Sequence, residues 1–275
     1  MIIFGTGAGR CGTMSLSNWL NSEVDTVCLH EGKERKLEEP GGQKLPFLTL
    51  QNFLAYKDPK QAEPLFRELR QIMQQVANDC DVKWFGDIAY NYAPFVKVIP
   101  TVFPEAKLVV IVRDGRSFVR SVITNEVPDP TPVGWLDPER PMSQTERFIA
   151  LGRLRPVIGH DVYEHWSQFD LVQKNAWLWA ETYRVIMDGL ESWSPDQYLV
   201  VRFEELFADV DKGYDKIRRF IGLDHPISDV THGLLHTRIN HRETRILPHF
   251  DDWSNVQKDG FWEQATPMMK RLGYL

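Results

Sequence analysis

A glycine-rich segment with one arginine inside it, Phe4-Gly5-Thr6-Gly7-Ala8-Gly9-Arg10-Cys11-Gly12-Thr13-Met14, is the first place along the chain where residue types could do chemistry. Glycines let a backbone curl until successive N–H groups point into one concavity, and a helix beginning just after them adds the positive end of its dipole. The combination is an anion cradle. Gly7 and Gly12 have the G-x-x-x-x-G spacing of an ATP-type phosphate loop. The next residues, however, are Thr13-Met14 rather than Lys-Ser/Thr, so the lysine for β/γ-phosphates and the magnesium-binding hydroxyl are both missing. Positive charge sits inside the loop instead, as Arg10. Gly7, Gly9 and Gly12 also satisfy the dinucleotide pattern G-x-G-x-x-G, which calls for an acidic residue ~20 positions on, and Glu31 stands near there. A plain glycine turn with a solvated arginine is the third reading, so this segment alone leaves the ligand open.

A second candidate anion site follows the apolar run 108–112, where Arg113-Asp114-Gly115-Arg116-Ser117 continues to Arg120-Ser121. In a parallel α/β sheet the C-terminal ends of strands face the ligand crevice, which puts Arg113 at that crevice. Ser117 and Ser121 fall on successive turns of the following helix. Arg113 and Ser121 can then converge on one phosphate, the guanidinium as a fork and the hydroxyl as a further donor. Three arginines at a helix start oppose the dipole preference and call for an anionic partner.

Taken together, Gly9-Arg10-Cys11-Gly12-Thr13 after the first strand, with Arg113 and Ser121 after a later one, resemble the two phosphate-binding signatures of the sulfotransferases that use 3′-phosphoadenosine 5′-phosphosulfate (PAPS). Phe103-Pro104-Glu105-Ala106-Lys107-Leu108, Val201-Arg202-Phe203-Glu204-Glu205-Leu206, Phe220-Ile221-Gly222-Leu223 and the terminal Leu272-Gly273-Tyr274 extend the likeness over most of the chain. The resemblance implies PAPS as co-substrate, PAP as product and no metal. It also implies that Gly9, Arg10, Cys11, Gly12, Thr13 and Met14 bind the donor. Backbone N–H groups of residues 10–13 and the Thr13 hydroxyl would hold the 5′-phosphosulfate, and Arg113 and Ser121 the 3′-phosphate. Arg10 stands where the family has a cation touching the leaving-group side of the sulfuryl. Two positions depart from the pattern: Met14, often a second Thr, and Phe203, often a Tyr against the adenine.

Sulfuryl transfer makes the demands of phosphoryl transfer: an in-line, loose transition state with charge building on the leaving oxygen. An acceptor hydroxyl also needs a base. His30, Glu31 and Asp87 lie at the ends of the second and third strands, and Glu31 is the choice that the tyrosine-sulfating branch of the family implies. His30 and Asp87 are the alternates, with Asp87 also readable as a helix N-cap. The basic cluster His236, Arg238, His241, Arg242 and Arg245 falls where relatives place a loop that closes over the 3′-phosphate or grips the acceptor. A solvated basic loop is the other reading, Arg242 is the expected cofactor contact, and the spacing suggests no metal site. A magnesium-ATP phosphotransferase and a non-catalytic nucleotide-binding module are the competing readings.

The elements that must position these residues are legible as short apolar runs at 1–4, 26–29, 83–85, 108–112 and 198–201, alternating with amphipathic stretches. Val172, Ala176, Trp179, Tyr183, Ile186 and Leu190 share one helical face, with Trp177 outside it. The expected fold is α/β, a central, mostly parallel sheet covered by helices on both faces around a P-loop-like core. Residues 31–46, charged and glycine-containing, read as a flexible connection. Residues 125–168 carry Pro128, Pro130, Pro132, Pro138, Pro141 and Pro156 with Trp135, Tyr163 and Trp166, an expected lid over the acceptor within a single domain spanning 1–275.

Composition fits. The chain has 275 residues, 43% hydrophobic and 25% charged, which excludes disorder and coiled coil. A formal charge of −6 argues against a nucleic-acid binder. Cys11, Cys28 and Cys80 form neither a disulfide framework nor a zinc motif, consistent with the cytoplasm. Met1-Ile2-Ile3-Phe4 runs straight into glycine with no basic or long apolar stretch, so a secretory signal is not expected, nor, with no apolar run of about 18 residues, a membrane-spanning helix. The acceptor, whether sugar, lipid, phenol or peptide hydroxyl, and the oligomeric state stay open.

Overall fold

The computed structural model describes residues 1–35, 40–46, 48–123, 134–135, 144–237, 239 and 247–275. Strands β1 (Ile2–Thr6), β2 (Thr26–His30), β5 (Trp84–Ile88), β6 (Lys107–Val112) and β7 (Tyr198–Arg202) overlap the five apolar runs, with ends shifted by up to three residues; between β2 and β5 lie β3 (Lys33–Arg35) and β4 (Pro40–Gln43). Among the described residues they form one sheet in the order β4-β3-β2-β5-β1-β6-β7. The pairs β2·β5, β5·β1, β1·β6 and β6·β7 are parallel, while β3 pairs antiparallel with both β2 and β4. The mostly parallel α/β expectation holds. The flexible connection expected over 31–46 does not: its described residues instead extend the sheet edge. The charged run Lys33-Glu34-Arg35 is paired on both sides, and Pro40–Gln43 forms the edge of the sheet beyond it.

The helices in chain order are α1 (Thr13–Asn21), α2 (Thr49–Lys57), α3 (Ala62–Cys80), α4 (Ile99–Val102), α5 (Gly115–Val122), α6 (Gln144–Leu151), α7 (Leu171–Gly189), α8 (Phe203–Ala208), α9 (Val210–Ile221), α10 (Asp229–Leu235) and α11 (Asn255–Arg271). Burial forms two clusters, one on each face of the sheet. Phe4, Leu29, Phe85, Leu108 and Val110 meet Phe66, Tyr92, Phe118, Trp179 and Tyr183 in the larger one. Ile3, Cys28, Val109 and Ile111 meet Leu16, Trp19, Tyr214 and Ile217 in the other. Alternate residues of β1 and β6 therefore face opposite layers, as a central strand covered on both sides requires. α7 begins at a capping box between Asp170 and Gln173 and buries the predicted stripe together with Trp177.

The C-terminal ends of β2, β5, β1 and β6 lie side by side at one edge of the sheet. Their register pairs His30 with Ile88, Gly5 with Ile88, and Thr6 with Val110. Every site candidate on a described residue up to Ser121 leaves the sheet at this edge or on the helices that follow it.

Candidate active site

The loop after β1 depends on backbone that only small residues reach easily. Gly9, Arg10 and Gly12 all have left-handed φ, at 81°, 49° and 91°. A Cβ on Gly7 would lie 2.5 Å from the carbonyl oxygen of Ile111, so the loop can lie this close to β6 only with glycine there. Gly12 forms the N-cap of α1 and brings no side chain to it, which leaves the helix start to the loop's own amides.

Arg113 leaves β6 against this loop. Its guanidinium donates to the carbonyl oxygen of Arg10 and lies 4.3 Å from the centre of the Phe203 ring. Phe207 packs against Phe203 with ring centres 4.5 Å apart. Two aromatic side chains of α7 fix the strand end: the Arg113 amide donates to the Tyr183 hydroxyl (3.1 Å), which donates to the Ile111 carbonyl (2.9 Å), and the Trp179 indole donates to the Arg113 carbonyl (2.9 Å). The Arg113 Nε–H is buried without an acceptor among the described residues. Such a donor is costly to leave unmet, and an anion would meet it.

Arg10 and Ser121 close the gap between the two predicted sites: Arg10 Nε donates to Ser121 Oγ at 3.2 Å. Ser121 is 3% exposed. Ser117, one turn earlier, is exposed. The arginines at the start of α5 divide their roles. Asp114 caps the helix by accepting from the Arg116 and Ser117 amides and also binds the Arg116 guanidinium. Arg116 thus has its anion within the chain, while Arg120 donates to the Leu247 carbonyl (3.3 Å).

The three candidate bases occupy adjacent positions with different surroundings. His30 is buried at the end of β2, its Nε2 3.3 Å from Thr13 Oγ1 in the cradle. Glu31 follows in left-handed backbone (φ 54°), its amide donating to Ile88 and its carbonyl accepting from Gln43, both at 3.2 Å. Strain of this kind persists where surrounding structure holds it. Asp87 is 3% exposed and lies within β5, so it caps no helix. Its carboxylate accepts from the Gly32 amide (3.0 Å) and the Tyr92 hydroxyl (2.5 Å). Burial pushes its pKa up to about 6, against these hydrogen bonds.

Beside Ala8 lies a small cavity of about 10 Å³, room for about one water molecule, lined by Asn52, Tyr90, Arg153, Leu178 and Thr182. Burial raises the Tyr90 phenol, the Glu31 charge adds to the rise and Arg153 opposes it, so Glu31 and Arg153 both act on this cavity. The Asn52 amide donates to the Gly152 carbonyl at 2.6 Å. None of these lining residues was anticipated; a polar residue at a buried position of α2 is the one local signal Asn52 carries. Arg153 lies 5.4 Å from the Trp135 ring centre, and Trp135 and Trp166 stack edge-to-face at 5.5 Å, whereas Tyr163 is exposed. Cys11 and Met14 complete the loop; burial holds the Cys11 thiol up at about 11, out of reactive range. Arg242, with Arg238, His241 and Arg245, lies outside the described residues, as does most of 125–143.

Residues 3–147 match a family described as the sulfotransferase family. Three solved structures share the fold. A sulfotransferase domain from the curacin biosynthetic pathway has a TM-score of 0.56 at 12% identity, covering 100% of this chain and 98% of that one. A sulfotransferase from Mycobacterium avium gives 0.55 at 12%, covering 98% and 75%. One from Alicyclobacillus acidocaldarius gives 0.51 at 16%, covering 98% and 93%. No curated protein sequence matches the chain.

Proposed function

Since the chain belongs to the sulfotransferase family, we propose that it transfers a sulfuryl group from PAPS to the hydroxyl of a small-molecule acceptor. The observation that carries the reading is the Arg10–Ser121 hydrogen bond, which joins the loop after β1 to the helix after β6 across a single cleft. A donor charged at both its 3′ and 5′ ends needs two anion sites that adjoin each other. The amides of residues 10–13 and the Thr13 hydroxyl hold the 5′-phosphosulfate. Arg113, with its unmet Nε–H, and Ser121 hold the 3′-phosphate.

In the transfer the acceptor oxygen attacks sulfur opposite the leaving phosphate oxygen. A new O–S bond forms as the old S–O bond breaks, and the electron pair leaves on the 5′-phosphate of PAP. Arg10 stabilises that charge. Glu31, whose charge adds to the rise of the Tyr90 phenol, takes the acceptor proton. His30 orients the Thr13 hydroxyl, and Asp87 holds the turn of residues 30–32 through the Gly32 amide. In this reading residues 125–168 serve as the lid over the acceptor within a single domain, and Arg242 as a further cofactor contact. Three free cysteines support a cytoplasmic setting. Among the described residues no helix is long and apolar enough to cross a membrane.

A thermal-denaturation panel tests the reading. PAP at 100 times its Kd stabilises the chain by ~2.7 kcal/mol, while ATP with magnesium and NAD do not. Stabilisation by magnesium-ATP and none by PAP overturns it in favour of a phosphotransferase.

A further inference from the structure

Away from the transfer site, two imidazoles and a carboxylate meet where α9 and α10 come together. His232 and His236 stand one turn apart, His236 capping the C-terminal end of α10, and their ring centres are 4.9 Å apart. Asp211, in the first turn of α9, faces both: Oδ1 lies 3.7 Å from His232 Nε2 and Oδ2 lies 3.3 Å from His236 Nε2. The three ligand atoms all lie within 4.8 Å of one another, and all three residues are exposed.

We propose that Asp211, His232 and His236 bind a borderline divalent cation of the zinc type, with water completing the coordination. The donor set is chemically apt, since neutral imidazole and carboxylate are the nitrogen and oxygen ligands such ions take. A tetrahedral site with bonds of ~2.1 Å has an edge of about 3.4 Å. The two imidazoles now face different oxygens of Asp211, at 3.7 and 3.3 Å, and the three ligand atoms lie within 4.8 Å of one another, so they must draw in by about an ångström to share one ion. Exposed side chains close the remaining distance by rotation, without moving backbone. The negative end of the α10 dipole adds to the attraction for a cation.

The ion acts as a brace. Both helices secure the far end of α1 from the cradle. On α10, the Leu234 carbonyl accepts from the Trp19 indole (3.2 Å) and Thr231 accepts from Ser22 (3.0 Å). On α9, Tyr214 and Arg218 both donate to Glu23 (2.9 and 2.7 Å). A cation joining Asp211 to the two histidines fastens these two supports to each other and takes no part in sulfuryl transfer.

Zinc chloride titrated into the full chain at pH 7.5, followed by calorimetry and thermal denaturation, tests this. The wild type is expected to bind one zinc ion per chain with a rise in Tm. In His232→Ala/His236→Ala both effects vanish while the zinc-free chain still unfolds in a cooperative transition. Asp211→Asn weakens zinc about tenfold or more. Unchanged zinc binding in the double variant overturns the site, as does a wild type that neither binds zinc nor gains stability from it.

Discussion

Arg10 and Ser121 are hydrogen-bonded at 3.2 Å although one follows the first strand of the chain and the other ends the helix after β6. The contact exists because β1 and β6 are neighbours in the sheet, with Thr6 paired to Val110, so the loops at their C-terminal ends emerge side by side. Arg113 reinforces it by donating to the Arg10 carbonyl. The carbonyl and the side chain of Arg10 are thus both held from the β6–α5 side.

Arg10→Ala is expected to lower kcat by ~10²–10³-fold, the usual loss when one donor to developing charge is removed. The affinity for PAP falls less, because Arg113 and the loop amides stay. Ser121→Ala is expected to show the reverse split: PAP binding weakened about tenfold by loss of one hydrogen bond to a charged group, with kcat little changed. Steady-state kinetics with calorimetric PAP titration measures both. Equal effects of the two substitutions on kcat would remove the division of labour between them.

Glu31→Gln keeps the size of the side chain and the backbone contacts to Ile88 and Gln43 but removes the proton acceptor. Turnover is expected to fall ~10²–10⁴-fold, with the affinity for PAP within twofold of wild type. Full turnover in this variant transfers the role to His30, whose ring already touches Thr13.

How much of this was readable beforehand follows from what each residue depends on. The strands and the phosphate loop depend on local signals, runs of buried apolar residues and glycines at turns, and both emerged near their predicted positions. The short strands Lys33–Arg35 and Pro40–Gln43 have no apolar period to reveal them; pairing of the first with β2 and of the second with the first makes them strands. The partner of Arg116 sits two residues away in Asp114, yet choosing between that carboxylate and an external anion requires the geometry of the helix cap. Asn52 and Arg153 reach the cavity from α2 and from the segment after α6, a juxtaposition that only the folded chain creates.

Gly12→Ala tests the cradle through its backbone. The residue sits at φ 91°, and an added Cβ would meet Phe207 at 2.8 Å. Left-handed strain costs about 1–3 kcal/mol. The clash also pushes on the ring that supports Phe203 beneath Arg113. A lower Tm together with loss of PAP binding is expected. A variant that binds PAP as tightly as wild type would show that the loop tolerates another path.

Asp87 separates a base from a positioning group. Its folded pKa of about 6 lies above the ordinary carboxylate value, so the native state holds its proton where the unfolded chain has lost it. The sign follows: the contribution of this group to stability is complete below about pH 4 and is lost as pH rises through 6, on the order of 3 kcal/mol in all. Asp87→Asn removes that dependence, since a neutral amide still accepts from Gly32 and donates to Tyr92. Between pH 4 and 7 the Tm of the variant should therefore climb relative to wild type. At pH 7.5 its turnover should stay within about tenfold of wild type, whereas Asp87→Ala, which releases the Gly32 amide and the Tyr92 hydroxyl, should lose stability and activity together. A loss of ~10²-fold or more in the asparagine variant, with its fold and PAP affinity intact, would make Asp87 the base and leave Glu31 as its neighbour.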